Sequence, residues 1–551
     1  MKYIFFSLLL IQLFLFQSCM KGESVDLVIH NARIHTMNES DEIFEAVAIK
    51  DGKIVELGAE RQILNKYSAE EYIDAGLKEV YPGLTDGHGH LLSYARMQLG
   101  VNLFGCESYQ EMIIRIKKYQ AKHKRKFIIG AGWDQSLWDE DEELPTKEIL
   151  DSVFPNTPVA LVRIDGHSML VNDTLLKLSN VIETVNAAPE KYLGGHFLYH
   201  EDGTPTGMII DNAMKPIYDL MPDYPQKELT KTIKGIQAEL LSYGITGVHD
   251  AGLSAYDRKI IEKWVDVRTL KLNIYGMLLP DEENMAFAEK NGIYENKNLY
   301  IRSFKVYGDG AVGSRGAFMK EEYSDRHGHF GHLTTPVDEI KRIADFCERI
   351  GYQMNTHAIG DSTNRILFDI YADAYQRNPD FRWRIEHAQH IDPNDFDLLE
   401  NCGAMASVQP THATTDQRWA VARLGEERMH GSYAYKTILE RCGLLIIGTD
   451  FPVEYTDPFR TIHSATNRKT TENYPIEGFL PEEAITLEEC LKGMTIWAAL
   501  GSFQESKLGT IEKGKDATLV IFNEAIVQRP TFKNNFANTV FIAGEKVYTV
   551  E

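Results

Sequence analysis

The chain has 551 residues, of which 43% are hydrophobic and 25% charged. This composition is typical of a packed globular protein with one large domain or two to three smaller ones. The formal net charge of -22 argues against a nucleic-acid partner and a polybasic membrane-surface site, since both require an excess of Lys and Arg.

Residues 1–18 have the pattern of a targeting segment rather than of a folded element. Lys2 provides a positive start, and the apolar run Tyr3–Phe16 is shorter than the roughly 20 residues that a membrane span requires. Ser18 then precedes Cys19, which predicts a bacterial lipoprotein signal in which Cys19 is lipidated. A plain secretory signal cleaved nearby is the alternative. We therefore expect an exported protein that meets the membrane only through an N-terminal lipid, with its folded domains in the periplasm or outside the cell.

Two strand-rich ends flank a long middle region. Short alternating apolar runs occur at residues 26–29, 46–50, 53–57, 517–522, 539–542 and 546–550. Asp51-Gly52 is a hairpin turn signal between two of these runs. The pattern predicts one small β-sandwich-like domain built from residues 24–80 and 505–551.

The middle region carries eight short apolar strand candidates with helical patterns between several of them. The candidates lie near residues 79–86, 245–250, 271–278, 299–307, 352–357, 382–388, 404–409 and 444–450. Alternating strands and helices with buried strands predict a parallel (β/α)8 TIM barrel of the α/β class over residues 81–504. Residues from about 92 to 235 separate the first two candidates, so they form an insertion with structure of its own.

The five cysteines after Cys19 favour neither a disulfide framework nor a zinc site made of thiolates. Their number is odd, and no two have the CxxC spacing. We interpret them as core residues: Cys106, Cys347, Cys402, Cys442 and Cys490.

Histidines and an aspartate stand at the carboxyl ends of several barrel strands. His88 and His90 are two residues apart, so both project from one face of the first strand. His357, His387 and Asp450 end the fifth, sixth and eighth candidates. Because the carboxyl ends of parallel barrel strands meet at one mouth, this placement predicts a site for a divalent metal such as zinc.

Lys305 falls within the fourth strand candidate. A buried lysine close to a cation is costly while it carries its charge. Reaction with CO2 would convert it to an anionic carbamate that can bridge two metals. The alternative is a lysine that pairs with Asp309 or with a substrate carboxylate.

Five further polar or aromatic residues are candidates for substrate contact at the mouth. His249 ends the second strand, Arg315 follows the fourth and His412 follows the seventh. Trp133 and His167 lie in the insertion, which we expect to cover the mouth as a lid. The alternatives are a structural histidine at 249, core packing at 133 and a surface ion pair at 315. The histidines of HGHFGH (His327, His329 and His332) lack placement at a strand end and are interpreted as a loop.

The order HxH, Lys, His, His, Asp over strands one, four, five, six and eight resembles the amidohydrolase superfamily. Local strings are similar to its amidohydrolase 3 branch, which includes N-substituted formamide deformylases. These strings are PGLTDGHGH (82–90), GWD (132–134), DGHS (165–168), GVHDAG (247–252), DGAVGSRGA (309–317), HAIGD (357–361), RIEHAQ (384–389), GTDFPV (448–453) and GTIEKGKDATLVIF (509–522). The resemblance covers residues 25–550 and is specific for the fold and the metal site rather than for a substrate.

The resemblance implies a metal-dependent hydrolase that cleaves a carbon–nitrogen bond, such as an amide or formamide, in a small molecule. His88 and His90 would hold one metal, His357 and His387 the other, and carbamylated Lys305 would bridge them. Asp450 would contact the first metal and handle the catalytic proton. One metal or two, and a possible homo-oligomer, stay open. Hydrolysis of an ester or lactone, and a surface lipoprotein that binds a ligand without chemistry, are the alternative functions.

Overall fold

The computed structural model describes residues 22–138, 144–526 and 537–550. The export signal and the lipidation site Cys19 lie outside these residues, so both stay predictions. Across the described ranges, no helix combines the length and the apolar character needed to cross a membrane.

The elements follow one another in three regions. The N-terminal region contains β1 (Glu23–His30), β2 (Arg33–His35), β3 (Ile43–Phe44), β4 (Ala46–Lys50), β5 (Lys53–Gly58), α1 (Glu60–Lys66), β6 (Tyr67–Asp74) and β7 (Glu79–Pro82), followed by β8 (Leu84–Gly89) and α2 (Leu91–Leu99). The insertion contains β9 (Val101–Asn102), α3 (Tyr109–His123), β10 (Ile128–Trp133), α4 (Glu148–Val153), β11 (Val159–Arg163), β12 (Ser168–Val171), α5 (Asp173–Ser179), α6 (Val181–Asn186), β13 (His196–Tyr199), β14 (Pro205–Ile210) and α7 (Lys215–Leu220).

The remaining elements complete the barrel and return to the terminal domain. They are α8 (Gln226–Ser242), β15 (Ile245–Leu253), α9 (Ala255–Asp266), β16 (Asn273–Leu278), α10 (Glu282–Asn291), β17 (Tyr294–Asn296), β18 (Leu299–Tyr307), α11 (Val337–Ile350), β19 (Gln353–Ala358), α12 (Asp361–Arg377), β20 (Arg384–His387), α13 (Phe396–Asn401), β21 (Met405–Val408), α14 (Pro410–Leu424), α15 (Tyr435–Cys442), β22 (Leu445–Ile447), α16 (Pro458–Asn467), α17 (Leu487–Gly493), α18 (Ile496–Leu500), β23 (Leu519–Phe522), β24 (Ala537–Ile542) and β25 (Glu545–Thr549).

Eight parallel strands form the predicted barrel. They are ordered β8-β15-β16-β18-β19-β20-β21-β22, and each pairs with its neighbour in parallel. The ring closes where the chain after β22 reaches β8, through a parallel bridge between Gly89 and Phe451. A side chain at Gly89 would overlap the Phe451 ring, its Cβ lying 2.3 Å from a ring carbon, so this closure requires glycine. The TIM-barrel prediction is confirmed.

Strands from both chain ends form two packed sheets beside the barrel. Their orders are β5-β4-β1-β6 and β25-β24-β23-β7-β2-β3. Ile29 and Ile49 of the first sheet share one core with Leu519 and Phe541 of the second. The alternating runs predicted this arrangement, because alternate residues of a strand face the same side. The β-sandwich-like domain is therefore confirmed.

The predicted first strand, residues 79–86, divides into two strands with different neighbours. β7 pairs with β23 in the terminal domain, whereas β8 pairs with β15 in the barrel. Both strands are largely buried and follow one another with one residue between them, so the sequence does not reveal the change of partner. The barrel strand begins at Leu84 rather than at residue 79.

The insertion is a subdomain around a six-stranded sheet of order β13-β14-β12-β11-β10-β9. Successive residues of a strand enter different cores: Leu170 joins one cluster, while Met169 and Val171 join the other. Trp133 is fully buried in the first cluster, and its Nε1 donates a hydrogen bond to the Leu161 carbonyl at 2.9 Å. Contact of Trp133 with substrate is therefore contradicted, and its alternative interpretation as a core residue holds.

Candidate metal centre and active site

His88 and His90 project from the carboxyl end of β8 into the barrel mouth. His88 is fully buried, and its Nδ1 donates to Glu386 Oε2 at 2.5 Å. This hydrogen bond fixes the tautomer and leaves Nε2 with a free lone pair. Nε2 faces the centre of the site, where Lys305 Nζ lies 3.3 Å away and Asp450 Oδ1 3.6 Å away. His88 is therefore oriented as a metal ligand.

Asp450 lies at the centre of the site, in the chain segment that follows β22. Its Oδ1 lies 3.0 Å from His90 Nε2, and its Oδ2 lies 3.3 Å from His412 Nε2. Burial alone would raise its pKa, but the neighbouring imidazoles of His412 and His90 lower the pKa well below the ordinary value. Oδ1 is buried and accepts no well-formed hydrogen bond from the described residues. A buried, ionised oxygen with imidazole nitrogens beside it suits a cation.

His357 and His387 complete the ring of imidazoles. Their ring centroids are 4.5 Å apart, and the His387 ring lies 4.9 Å from that of His88. Burial is the main cause that lowers the pKa of both side chains well below the ordinary value, so both are neutral and able to bind a metal. Nδ1 of His387 is buried and has no hydrogen-bond partner among the described residues.

The donor atoms fit one or two divalent metal ions. One set is His88, His90 and Asp450, and a second is His387, His412 and Asp450; within each set the donor atoms lie within 4.8 Å of one another. Imidazole nitrogens with a carboxylate oxygen are the ligands that zinc takes at catalytic sites. His357 is placed beside the second set through its contact with His387.

Lys305 stands between the two sets, near the end of β18. Burial lowers the pKa of its amine to about 8, and no carboxylate of the described residues lies within ion-pair distance of it. Asp309 instead accepts hydrogen bonds from the backbone amides of Ile359, Gly360 and Phe318, at 3.1, 2.8 and 2.9 Å. The alternative that Lys305 pairs with Asp309 is therefore wrong.

A sequence profile of the amidohydrolase family (Amidohydro_3) matches residues 71–548.
The chain belongs to this family.
Protein LONG AFTER FAR-RED 3 of Arabidopsis thaliana is 29% identical to it, over 91% of this chain and 88% of the relative. The N-substituted formamide deformylase of Arthrobacter pascens is 23% identical, over 90% of this chain and 93% of the relative. A solved structure, an uncharacterized metal-dependent hydrolase from Pyrococcus horikoshii OT3, superposes with a TM-score of 0.74 at 26% identity, covering 91% of this chain and 99% of that one. The predicted resemblance is confirmed, and the amidohydrolase is a metal-dependent hydrolase.

Two carboxylates that organise this amidohydrolase site were not predicted. Asp86 Oδ1 accepts from the backbone amides of His88 and Thr449, at 3.1 and 3.0 Å, and Oδ2 accepts from the Thr449 hydroxyl at 2.7 Å. It thereby ties the strand that carries His88 to the segment that carries Asp450. The available signal was its position in DGHGH, two residues before the first histidine.

Glu386 is the second missed carboxylate. Besides accepting from His88 Nδ1, it forms a fully buried ion pair with Arg384, whose Nε lies 2.7 Å from Oε1. Burial alone would raise the pKa of Glu386, but Arg384 and His88 lower it well below the ordinary value. The signal was two charged residues at alternate positions of a fully buried strand, which places both on one face.

Replacing Glu386 with Gln should weaken metal binding about 10- to 100-fold, because Gln still accepts a hydrogen bond from His88 but lacks the negative charge that raises the basicity of this candidate metal ligand, and changes to such a supporting group have effects of this size. Competition with a chromogenic chelator measures the change. Glu339→Gln is the control, since Glu339 pairs with Arg342 on the surface of the barrel helix α11. Equal metal affinity of both variants and the unaltered protein would show that Glu386 does not orient His88.

Of the other residues predicted at the mouth, the structure places His412 in the site and places His249 and Arg315 in structural contacts. His412, in the first turn of α14, lies in the site between Asp450 and Glu454, 3.3 Å from each. His249 is buried below the site, where its Nδ1 lies 3.0 Å from Arg384. Its placement matches the structural alternative. Arg315 donates two hydrogen bonds to Asp325, at 3.0 and 2.9 Å, which favours the ion-pair alternative.

The insertion covers the barrel mouth as expected. Asn212 donates to the Thr334 carbonyl at 2.8 Å, which joins the insertion to the loop after β18. The Phe104 ring lies edge-on to Tyr455 at 4.8 Å, which joins it to the loop after β22. Tyr307 lies 5.8 Å from His357 between ring centroids, yet it is 37% exposed. Solvent therefore reaches Tyr307 beside His357.

His167 is the predicted residue that the insertion brings to the centre. Its ring lies 5.4 Å from that of His357, and its Nδ1 is 2.7 Å from Asp211 Oδ1. Burial alone would lower the pKa of His167, but Asp211 raises it to about 9. His332 of the HGHFGH loop also reaches Asp211, so that loop contacts the cover rather than standing alone.

Proposed function

We propose that this amidohydrolase cleaves a carbon–nitrogen bond, of the amide or formamide kind, in a small molecule with the help of divalent metal, zinc being the expected ion. The observation that carries the proposal is the convergence of His88, His90 and Asp450 with His387 on one enclosed mouth. The name of the Arthrobacter pascens relative supports the choice of a formamide-type bond.

A metal bound by these residues would lower the pKa of a water molecule towards neutrality and polarise a substrate carbonyl. Asp450 is ionised and its buried Oδ1 faces the centre of the site beside His88 and His90, so it can take the proton of the attacking water. Carbon–nitrogen cleavage then requires a proton on the leaving nitrogen, and Asp450 returns it. His412 holds the other oxygen of Asp450 and keeps the carboxylate in place.

We propose further that Lys305 is carbamylated. Its amine attacks CO2, a nitrogen–carbon bond forms and one proton leaves, so a neutral buried amine becomes an anion. The lowered pKa supports this step because only the unprotonated amine reacts. The position of Nζ, 3.3 Å from His88 Nε2, supports a ligand role for the product.

The test combines metal analysis with substrate screening. The mature protein, prepared with zinc and bicarbonate, should contain about two metals per chain by plasma mass spectrometry and hydrolyse members of a panel of N-formyl and N-acyl amines. Esters and lactones of matching acyl groups are the comparison. Turnover of esters alone would contradict the carbon–nitrogen assignment. Absence of tightly bound metal would contradict the hydrolase and favour ligand binding without chemistry.

A further inference from the structure

One face of helix α14 extends from the candidate metal centre to the cover. Three side chains at intervals of four and three residues share this face: His412, Asp416 and Trp419. The first contacts Asp450 at the metal centre. Trp419 borders Gly313 together with Arg163 of the insertion, since an atom of each lies 3.4 Å from the place that a Cβ would take at Gly313. Asp416 therefore lies between the metal centre and the cover.

The carboxylate of Asp416 is held by neutral donors. Its Oδ2 accepts from the Tyr433 hydroxyl at 2.9 Å and from the Gln389 amide at 3.5 Å, and the same amide donates to that hydroxyl at 3.0 Å. Among the residues that the structure describes, Oδ1 has no hydrogen-bond partner, and no Lys or Arg lies within ion-pair distance of either oxygen. Asp416 is partly exposed. One oxygen is thus fixed in place, and the other is available to a bound group.

The positive charges in this part of the molecule already have partners. Arg163 is 4% exposed and pairs with Asp134 at 2.7 Å and with Asp165 at 2.6 Å. Arg418 is exposed, and its Nε donates to a backbone carbonyl of its own helix at 2.7 Å. Burial raises the pKa of Asp416 to about 7, because the loss of water outweighs the attraction of its neighbours. A cation bound from solution would offset this cost of burial.

We propose that Asp416 binds an ammonium group of the substrate, so that the enzyme acts on the amide of a molecule that carries a second, cationic amine. The inference rests on the proposed carbon–nitrogen hydrolase function. Residues four apart on a helix have Cβ atoms about 6 Å apart, which sets the separation of Asp416 from His412. An extended chain covers about 1.2 Å per bond, so the ammonium group should lie about four to six bonds from the scissile nitrogen. Diaminobutane and diaminopentane acylated on one nitrogen meet this requirement.

The test compares each of these cationic amides with a neutral amide of the same chain length, N-acyl butylamine or N-acyl pentylamine. The metal-loaded mature protein is assayed at about pH 8.5, where the carboxylate is ionised and an alkylammonium group is still protonated. The unaltered protein should have a kcat/KM about 10- to 100-fold higher for the cationic amide. In Asp416→Asn this ratio should fall to about one, mainly through KM, because the lost contact is remote from the scissile bond.

Two variants distinguish the charge of Asp416 from its packing. Asp416→Glu keeps the negative charge and should retain part of the preference for the cationic amide. Asp345→Asn is the matched control, because Asp345 is exposed on helix α11 and the variant should have the ratio of the unaltered protein. An unchanged ratio in Asp416→Asn would overturn the inference, even if this variant were less active towards both amides.

Calorimetry with free diaminopentane measures recognition of the cation without turnover. The unaltered protein should bind it at least about 10-fold more tightly than Asp416→Asn does. Equal affinity of the two proteins would contradict a cation site at Asp416. Absence of turnover for both kinds of amide would overturn the proposed function and this inference with it. Turnover without a preference for the cationic amide would overturn the role of Asp416 alone and leave the hydrolase function in place.

Discussion

Replacing Asp450 with Asn is expected to lower turnover about 10²- to 10⁴-fold while the metal stays bound. Asparagine keeps the size of the side chain and one oxygen near His90, but it cannot accept the proton of the attacking water. Steady-state kinetics and plasma mass spectrometry on the same preparation measure the two effects. The lowered pKa of Asp450 means that the carboxylate is ionised in the unaltered protein throughout the neutral range.

Asp369→Asn is the control for this prediction, because Asp369 lies on the exposed side of α12 and pairs with Arg365. It should have unaltered kinetics. Near-normal turnover by Asp450→Asn would show that another group handles the proton, and His412 would be the next candidate because its Nε2 lies 3.3 Å from Asp450. Loss of metal along with turnover would show instead that Asp450 serves chiefly as a ligand.

Replacing Lys305 with Ala is expected to have the second large effect. If the carbamate bridges two metals, the variant should retain about one metal per chain or none and lose turnover by at least about 10²-fold. A small carboxylate such as acetate should restore part of the metal content and part of the turnover. It can occupy the space left by the lysine side chain near the end of β18 and supply the two oxygens of the carbamate. Lys305→Arg distinguishes a role of the carbamate from a role of the ammonium group, since arginine keeps a positive charge and cannot carry the carbamate.

The alternative role of Lys305, binding a substrate carboxylate, predicts different properties for the same two variants. If Lys305 binds a substrate carboxylate as an ammonium group, Lys305→Ala should keep its metal and show mainly a raised KM, while Lys305→Arg should be partly active. Intact-mass analysis under mild conditions adds an independent measurement, since the carbamate has the mass of one bound CO2. A mass without that addition, together with unchanged metal content in Lys305→Ala, would contradict the modification.

The barrel followed from the sequence because its strands are short, apolar and separated by helical patterns. Each of the eight candidates contains or overlaps a strand of the barrel sheet. Parallel strands buried on both faces have a local composition that does not depend on their partners. The exception is residues 79–86, where β7 and β8 are both largely buried and belong to different sheets.

The candidate metal ligands were also predicted from local pattern. His88, His357 and His387 each stand at or near the carboxyl end of a strand, and the closed barrel brings those ends together whatever the side chains of the loops are. The sequence was less able to distinguish substrate-contacting residues at the mouth from structural ones. Trp133 enters the core of the insertion and Arg315 pairs with Asp325, because packing of the insertion and loops decides where such side chains point.

The sequence by itself determined the fold class, including the β-domain built from both chain ends, and the strand-end placement of the candidate metal ligands, since strand periodicity and strand-end placement are properties of contiguous segments. Only the tertiary structure decided which groups support those residues. Glu386 contacts His88, 298 residues away in the chain. Asp211 contacts both His167 and His332, and His332 lies 121 residues after Asp211. Such contacts depend on how distant segments pack and where each side chain then points, and no local periodicity records that.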